Sequence, residues 1–292
     1  MTVSRRVRSI LQALFVTFLW STSWVLIKVA LHEIPPLTFA GLRYALAFFV
    51  LLPGLWRQRA AIRALSAREW GRLALLGLVY YAMAQGGQFV TLNHLQAITF
   101  SLLLNFTSVL VAFFGIVALQ EIPSRRQWGG VVVFVGGVLV YFLPLSGSGG
   151  GPLGFALAAF TICANAAAAV LGRSINRTRA LSPTVVTAIS MGIGGMSLLG
   201  IGVAGQGLPP LSATGWLIVS WLALVNTALA FTLWNRSLQN LSAVESSVIN
   251  NTMLVQIAVL AWLFLGEQLA LREVVGLILA AGGIFIASLK SG

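Results

Sequence analysis

Ten apolar runs follow one another along the chain, and they constrain its fold more than any other feature. They occupy approximately residues 9–31, 35–54, 71–92, 95–119, 127–144, 152–172, 183–204, 212–235, 242–264 and 270–289. A bilayer-spanning helix needs about 20 mostly apolar residues, and lipid admits only helices and closed barrels because backbone groups must be satisfied internally. Barrel strands would give alternating segments of about ten residues, whereas these runs are continuous. The sequence therefore predicts an all-α membrane protein with ten transmembrane helices.

The charge pattern supports this count and sets an orientation. Only 8% of the residues are charged, against about 25% in a typical soluble protein. Of the 18 basic residues, 15 lie on alternate connections between the runs and before the first or after the last of them. Basic loops stay on the cytoplasmic side, so both termini are expected in the cytoplasm. The net charge of +12 is thus a signature of membrane topology, and no nucleic-acid partner is expected.

An internal repeat divides the chain into two halves. Residues 92–140 align without a gap on residues 238–286, at an offset of 146 positions, and 13 of the 49 aligned pairs are identical. The matches include Asn105/Asn251 and Glu121/Glu267. We therefore expect two repeats, 1–146 and 147–292, of five helices each. Because five is odd, the repeats have opposite orientation, which is typical of secondary transporters.

Polar side chains on several runs mark candidate functional positions. In the first run, Thr17, Ser21, Trp24 and Lys28 share one helical face, which favours the bundle interior or a watery cavity. The alternative is helix–helix contact through Ser and Thr. In the fourth and ninth runs, the central Asn side chains suit helix packing and substrate binding equally well.

Other positions have simpler interpretations. Arg43 lies inside the second run and needs a partner, which could be a helix carbonyl, Glu33 or a substrate carboxylate; we favour structural pairing. The Gly-x5-Gly-Gly pattern in the fifth and tenth runs predicts a close-packed seam, at Gly130, Gly136, Gly137, Gly276, Gly282 and Gly283. Glu267 with Arg272, and Glu121 with Arg126, have the spacing of a local ion pair or cap.

Several kinds of chemistry lack the residues they need. The chain has one Cys, two His, six Glu and no Asp, so no zinc spacing or Ser-His-Asp set occurs. It also has no Walker loop or Gly-x-Gly-x-x-Gly run. We expect no enzyme activity, no cofactor and no metal. Proton-coupled transporters usually use an intramembrane carboxylate or His, and since none lies centrally here, gradient-driven export is favoured over proton antiport.

These features resemble the drug/metabolite transporter superfamily, in its EamA-type branch. The resemblance rests on Trp20-Ser21-x-Ser23-Trp24 with Lys28, on the spacing from Pro36 to Arg43, on Leu265-Gly266-Glu267, and on the paired glycines. Within that branch, the chain looks most like bacterial exporters of aromatic and other neutral amino acids. It departs from the family pattern at Ser108 and Leu254, where members often carry a proline, and at Gln120, where a glycine is usual.

The resemblance implies two inverted repeats around a central cavity that opens alternately to either side of the bacterial inner membrane. Spans 1–4 and 6–9 would line the cavity and spans 5 and 10 would lie outside. The substrate-binding candidates are the aromatic, amide and hydroxyl residues of these spans: Trp20, Ser21, Trp24, Tyr81, Gln85, Gln88, Ser101, Asn105, Asn165, Trp234 and Asn251. Expected partners are a small-molecule substrate and the lipid bilayer. The oligomeric state stays open, with a monomer as one expectation.

The favoured function is therefore export of small metabolites, above all aromatic and other neutral amino acids, by alternating access. The alternative within the same class is a proton-coupled exporter of drugs or other small metabolites. A membrane-embedded enzyme or a channel is a further alternative from another class. The sequence does not determine the substrate, the coupling ion or the direction of net flux.

Overall fold

The computed structural model describes residues 3–107, 109–111, 125–142, 151–177, 181–238 and 243–288, and this part of the chain contains helices and no strand. The helices are α1 (Val3–Ala30), α2 (Pro36–Trp56), α3 (Arg59–Arg63), α4 (Ala67–Gly77), α5 (Gly86–His94), α6 (Ala97–Leu104), α7 (Arg125–Phe142), α8 (Pro152–Arg177), α9 (Pro183–Gln206), α10 (Ala213–Ala223), α11 (Ala230–Leu238), α12 (Ala243–Leu265) and α13 (Leu271–Ser288). Two π-helical segments, Leu78–Gln85 and Leu224–Leu229, join α4 to α5 and α10 to α11.

Apolar helices of spanning length dominate the described residues. Six are long and apolar enough to cross a membrane: Val7–Ala30, Pro36–Trp56, Ala67–His94, Pro152–Gly172, Thr184–Gln206 and Ala213–Trp234. Three shorter apolar helices are Ala97–Val111, Trp128–Phe142 and Ile249–Leu265. The predicted all-α membrane class is confirmed, and the total of ten spans stays a prediction. Ser108, Gln120, Glu121 and the 146/147 repeat boundary lie outside the described residues.

Local sequence signals set several helix ends. Pro36 and Pro183 stand in the first turn of α2 and α9, where a missing N–H costs no hydrogen bond. Ser66 and Glu69 form a reciprocal capping box at the start of α4. After α9 the backbone turns at Gly207, whose φ of 77° is costly for any residue with a Cβ.

The chain folds into two compact units, and each contains helices from both halves of the sequence. The first unit comprises Met1–Val29, Leu95–Gly151 and Leu229–Gly292; the second comprises Ala30–His94 and Pro152–Ala228.

In the first unit, α7 and α13 pack against each other through glycines. A Cβ added to Gly130 would lie 2.4 Å from the backbone nitrogen of Ala287, and one added to Gly137 would lie 2.4 Å from that of Ala280. Early residues of α7 thus meet late residues of α13, so the two helices run antiparallel. The predicted glycine seam is present, but Gly136 and Gly282 have no atom within 4 Å of an added Cβ and lie outside it.

In the second unit, α2 and α9 pack in the same antiparallel way. A Cβ on Gly41 would lie 2.4 Å from the Cα of Leu199, and one on Gly202 would lie 2.5 Å from the backbone nitrogen of Thr38. Such close backbone approach is typical of helices that pack through small residues in lipid. The α2/α9 pair and the α7/α13 pair each join helices at equivalent positions of the sequence repeat.

Loop contacts agree with the predicted alternation of connections. Glu33, after α1, accepts hydrogen bonds from the backbone N–H and the hydroxyl of Ser212, before α10. At the opposite end of α2, the hydroxyl of Ser182, before α9, donates to Gln58. Within the second unit, the connections predicted to lie on the same side of the membrane are therefore in contact.

Candidate functional site

An aromatic cluster lies in the first unit, where α1 meets α11. The ring centroid of Trp20 is 5.2 Å from that of Trp234 and 5.4 Å from that of Phe231, with tilted planes in both pairs. All three side chains are half-buried. Such rings offer a large apolar surface that prefers offset or edge contacts with further rings. The structure thus brings together Trp20 and Trp234, two predicted site residues far apart in sequence.

A network of hydroxyl and amide groups lies on the next face of α1. The buried hydroxyl of Ser21 lies 2.9 Å from Oε1 of Gln256 on α12, to which it donates, and also 2.8 Å from the carbonyl oxygen of Thr17. Nε2 of Gln256 donates to the hydroxyls of Thr252, at 3.0 Å, and Thr17, at 3.3 Å. These contacts join α1 to α12 and hold the amide in one orientation.

Further predicted residues of this unit lie on α1, α6 and α12. Trp24 is buried with its ring centroid 5.3 Å from that of Phe100. Ser101 donates to the carbonyl of Ile98, and Asn105 donates to the carbonyl of Ser101. Their hydrogen bonds stay within their own helix, so the structure does not join Ser101 or Asn105 to the aromatic cluster.

Asn251 differs from the other predicted amides. It is half-buried on α12, and its Nδ2 is fully enclosed without a hydrogen-bond partner among the described residues. Buried donors are usually paired, so the Nδ2 of Asn251 has an unmet hydrogen-bonding capacity within the described residues.

One end of the first unit is organised by charge. Glu267 is only 7% exposed, and its carboxylate accepts the backbone N–H groups of Ala97, at 2.7 Å, and Ile98, at 3.0 Å. It therefore caps the N-terminus of α6, which favours negative charge. Of the two expected roles, a local ion pair or a cap, the structure shows a cap, but the capped helix lies 170 residues away in sequence and not in the local hairpin. Lys28 donates to the carbonyl of Leu95, at 2.6 Å, beside the same helix start.

The second unit contains the remaining predicted residues. Tyr44 on α2 donates to Oε1 of Gln85, at 2.6 Å, and its ring lies 5.3 Å from that of the buried Tyr81. Gln88 is half-buried on α5, and Asn165 on α8 donates to the carbonyl of Thr161. Tyr81 and Gln85 are thus brought together through Tyr44, whereas Asn165 bonds within its own helix.

Arg43 is the buried cation of the second unit. It is 5% exposed, its Nε donates to the hydroxyl of Thr227 at 3.0 Å, and its Cζ lies 5.3 Å from the ring centroid of Tyr44. The structure gives Nε of Arg43 a neutral partner in Thr227, which was not among the partners considered. Glu33, considered as a partner, instead binds Ser212.

The residues of these groups that sequence reasoning did not name as site residues include Phe231, Gln256 and Tyr44. Gln256 lies one helical turn after Thr252 and five residues after Asn251, so its polar neighbours were a usable signal. Phe231 was visible as a neighbour of Trp234 on one face. Tyr44 gave no signal, because an aromatic residue in an apolar run is ordinary.

The described residues include no group of three or more His, Cys, Asp or Glu that could hold a metal ion. The polar groups described above are amides, hydroxyls, indoles, the guanidinium of Arg43, the carboxylate of Glu267 and the ammonium of Lys28, and such groups suit non-covalent recognition of a small molecule.

Together, the apolar helices and the polar groups between them define a helical membrane protein with polar side chains inside its helical units. The sequence comparison then identifies the protein family. Residues 7–143 and 152–289 each match the EamA-like transporter family, and the chain belongs to this family of multi-pass membrane transporters.

Relatives with curated names carry different descriptions. A probable amino-acid metabolite efflux pump of Salmonella typhimurium is 28% identical over 288 residues, covering 94% of this chain and 92% of the relative. An S-adenosylmethionine/S-adenosylhomocysteine transporter of Chlamydia trachomatis is 26% identical over 263 residues, covering 86% and 80%. The relatives are thus transporters, with more than one kind of substrate.

A solved crystal structure shares the fold. It superposes with a TM-score of 0.64 at 17% identity and covers 97% of both chains. This likeness supports the helical architecture described above.

Proposed function

We propose that this chain is a transporter of the bacterial inner membrane that exports small metabolites, with aromatic and other neutral amino acids as its substrates. The observation that carries the proposal is the aromatic cluster of Trp20, Phe231 and Trp234 on helices that also carry the Ser21–Gln256 network. Rings recognise an apolar or aromatic side chain by stacking. Amides and hydroxyls offer hydrogen-bond donors and acceptors to the polar ends of an amino acid.

The half-buried candidates retain surface for a ligand and are proposed as direct contacts: Trp20, Gln85, Gln88, Asn105, Asn165, Trp234 and Asn251. The buried candidates Ser21, Trp24, Tyr81 and Ser101 pack against or bond to neighbouring residues, so they are proposed to support the site from behind the ligand contacts.

We also propose that the two halves, 1–146 and 147–292, are inverted five-helix repeats that work by alternating access. The antiparallel packing of α2 with α9 and of α7 with α13 supports this. In each pair, one helix is the repeat equivalent of the other, and two copies of opposite orientation must run antiparallel. With 15 basic residues on alternate connections or outside the first and last spans, both termini lie in the cytoplasm.

The positions of the acidic groups support export without a proton relay in the membrane centre. Among the described residues, Glu33, Glu69, Glu267 and Glu273 each bind a helix start or a neighbouring loop. A proton-coupled exporter of drugs or other metabolites, the alternative, would use a carboxylate within a span.

A second candidate substrate class is S-adenosylmethionine and related sulfonium compounds. Two observations favour it: the name of the Chlamydia trachomatis relative and the aromatic cluster around Trp20, because cations are attracted to ring faces.

The test is uptake of radiolabelled compounds into liposomes that contain the purified protein. The panel comprises tryptophan, phenylalanine, leucine, S-adenosylmethionine and a lipophilic cationic drug, each with and without an imposed pH gradient. The proposal predicts saturable tryptophan and phenylalanine uptake that the pH gradient does not drive. Saturable uptake of S-adenosylmethionine alone would favour the second candidate, and uptake of the drug driven by the gradient would favour the proton-coupled alternative.

A further inference from the structure

Arg43 is a buried cation whose partners carry no charge. It lies eight residues into α2 and is 5% exposed. Its contacts within the described residues are the hydroxyl of Thr227 and the ring of Tyr44. A guanidinium has five N–H donors, and only the one on Nε is used.

Among the side chains that the structure describes, the acidic residues near helix ends do not neutralise this cation. The carboxylates of Glu33 and Glu69 accept from Ser212 and Ser66, and that of Glu273 accepts from the backbone of Ala270. A charge inside a membrane protein is expensive and usually pairs with an opposite charge or marks a pathway. Thus Arg43 retains both a positive charge and unused donors.

The surroundings of Arg43 hold its guanidinium in a fixed place. The hydroxyl of Thr227 donates to the carbonyl of Leu222, at 2.8 Å, so its lone pairs face the Nε–H of Arg43. The hydroxyl of Tyr44 is anchored on Gln85. A pre-positioned guanidinium binds a planar two-oxygen anion with parallel hydrogen bonds.

Thr227, which accepts from Arg43, and Gln85, which accepts from Tyr44, both belong to π-helical segments. Gln85 ends the segment Leu78–Gln85, and Thr227 lies in the segment Leu224–Leu229. The two segments begin 146 residues apart, at equivalent positions of the repeat. π-Helical turns are rare and frequently occur at functional sites. The repeat equivalent of Arg43 is Ile189, so the cation breaks the symmetry of the two halves and gives a bound anion one preferred position.

We propose that Arg43 binds the carboxylate of the transported molecule, held for this purpose by Thr227 and Tyr44. This inference rests on the proposed function and specifies the substrate as a carboxylate-bearing compound. Amino acids and S-adenosylmethionine both carry this group, whereas their decarboxylated amines do not.

The experiment measures binding to the purified full chain by ligand-induced thermal stabilisation and by equilibrium dialysis. The probes are matched pairs: tryptophan with tryptamine, phenylalanine with phenethylamine, and indole-3-acetate with 3-methylindole. Wild-type protein should bind each carboxylate about tenfold or more tightly than its partner, as expected for a charge-assisted hydrogen-bonded pair. R43Q should abolish this preference, and R43K should keep part of it, because lysine retains the charge but not the planar fork.

The matched control is Thr161→Val. Thr161 is buried in the same unit and shares a hydrogen bond with Thr91, so the variant removes a buried hydroxyl contact that does not involve the guanidinium. T161V should retain the full carboxylate preference. Equal binding of carboxylate and partner by wild-type protein would overturn the role of Arg43, even if R43Q does not fold. An unchanged preference in folded R43Q would also overturn it.

The outcomes separate this inference from the proposed function. Binding of indole-3-acetate through Arg43 without binding or flux of any amino acid would retain the carboxylate site and refute the amino-acid exporter. Amino-acid flux with equal binding of the amine partners would retain the exporter and refute the carboxylate site. Failure of all probes to bind wild-type protein would refute both.

Discussion

The antiparallel α7/α13 seam can be tested with two adjacent glycines. Gly137 lies in the contact: an added Cβ would be 2.4 Å from the backbone nitrogen of Ala280 and 2.7 Å from the carbonyl oxygen of Gly276. An added Cβ at Gly136 meets nothing within 4 Å. Both residues lie inside α7, so Gly→Ala brings the same gain in helix propensity, roughly 0.5–1 kcal/mol.

The difference between G137A and G136A therefore isolates the packing cost. Ordinary contact begins near 3.4 Å, so the two backbones must separate by about 1 Å to admit the methyl group of G137A. Overpacking of this kind costs about 1–3 kcal/mol, and no side-chain rotation can relieve it because the nearest atoms are backbone. We expect G136A to be as stable as wild type or slightly more stable, and G137A to be less stable than G136A by about 1–3 kcal/mol.

The measurement is reversible unfolding in mixed detergent micelles, with helix content as the readout. The second repeat supplies an independent copy of the same comparison. A Cβ on Gly283 would lie 2.3 Å from the backbone nitrogen of Phe134, whereas one on Gly282 meets nothing within 4 Å. G283A should thus reproduce the loss and G282A should not. Equal stability of G136A and G137A would refute the seam.

Two further substitutions test the site and one helix cap. W20A should raise the half-saturation concentration for tryptophan uptake about tenfold, since a ring contact of about 1.5 kcal/mol corresponds to that factor. The control W128A removes an exposed ring on α7 and should leave uptake unchanged. A normal uptake curve for W20A would contradict the role of the cluster. E267Q should destabilise the protein by about 2 kcal/mol in the same unfolding assay, because one of two buried N–H groups loses its acceptor. E69Q, at an exposed capping box, should lower the stability less. The reverse order of the two variants would contradict the long-range cap.

The sequence predicts the helices well because lipid leaves few alternatives to a continuous apolar run. The described runs are helical, and the seven-residue spacing from Gly130 to Gly137 correctly indicates a close helix contact. The sequence does not reveal which glycine of each pair faces the partner. Gly136 and Gly137 are adjacent, and only the rotation of α7 against α13 decides between them.

Contacts between helices that are distant in sequence are harder to predict from the sequence. Glu267 has an arginine five residues away, yet its carboxylate caps α6, because the free N–H groups of a helix start donate to a negatively charged acceptor and favour it there. Ser21 was identified from the periodicity of α1, whereas its partner Gln256 depends on how α12 packs. The π-helical segments have no simple sequence signal, so the Arg43–Thr227 contact required the structure.

The most direct test of the central claim is a counterflow experiment with tryptophan. Proteoliposomes are loaded with unlabelled tryptophan or with buffer, and entry of a trace of labelled tryptophan is followed without any ion gradient. Alternating access by an amino-acid transporter predicts transient accumulation of label only in the loaded vesicles. Entry that is equal in loaded and empty vesicles would indicate a channel, and no protein-dependent entry of tryptophan or of any other neutral amino acid would contradict the account.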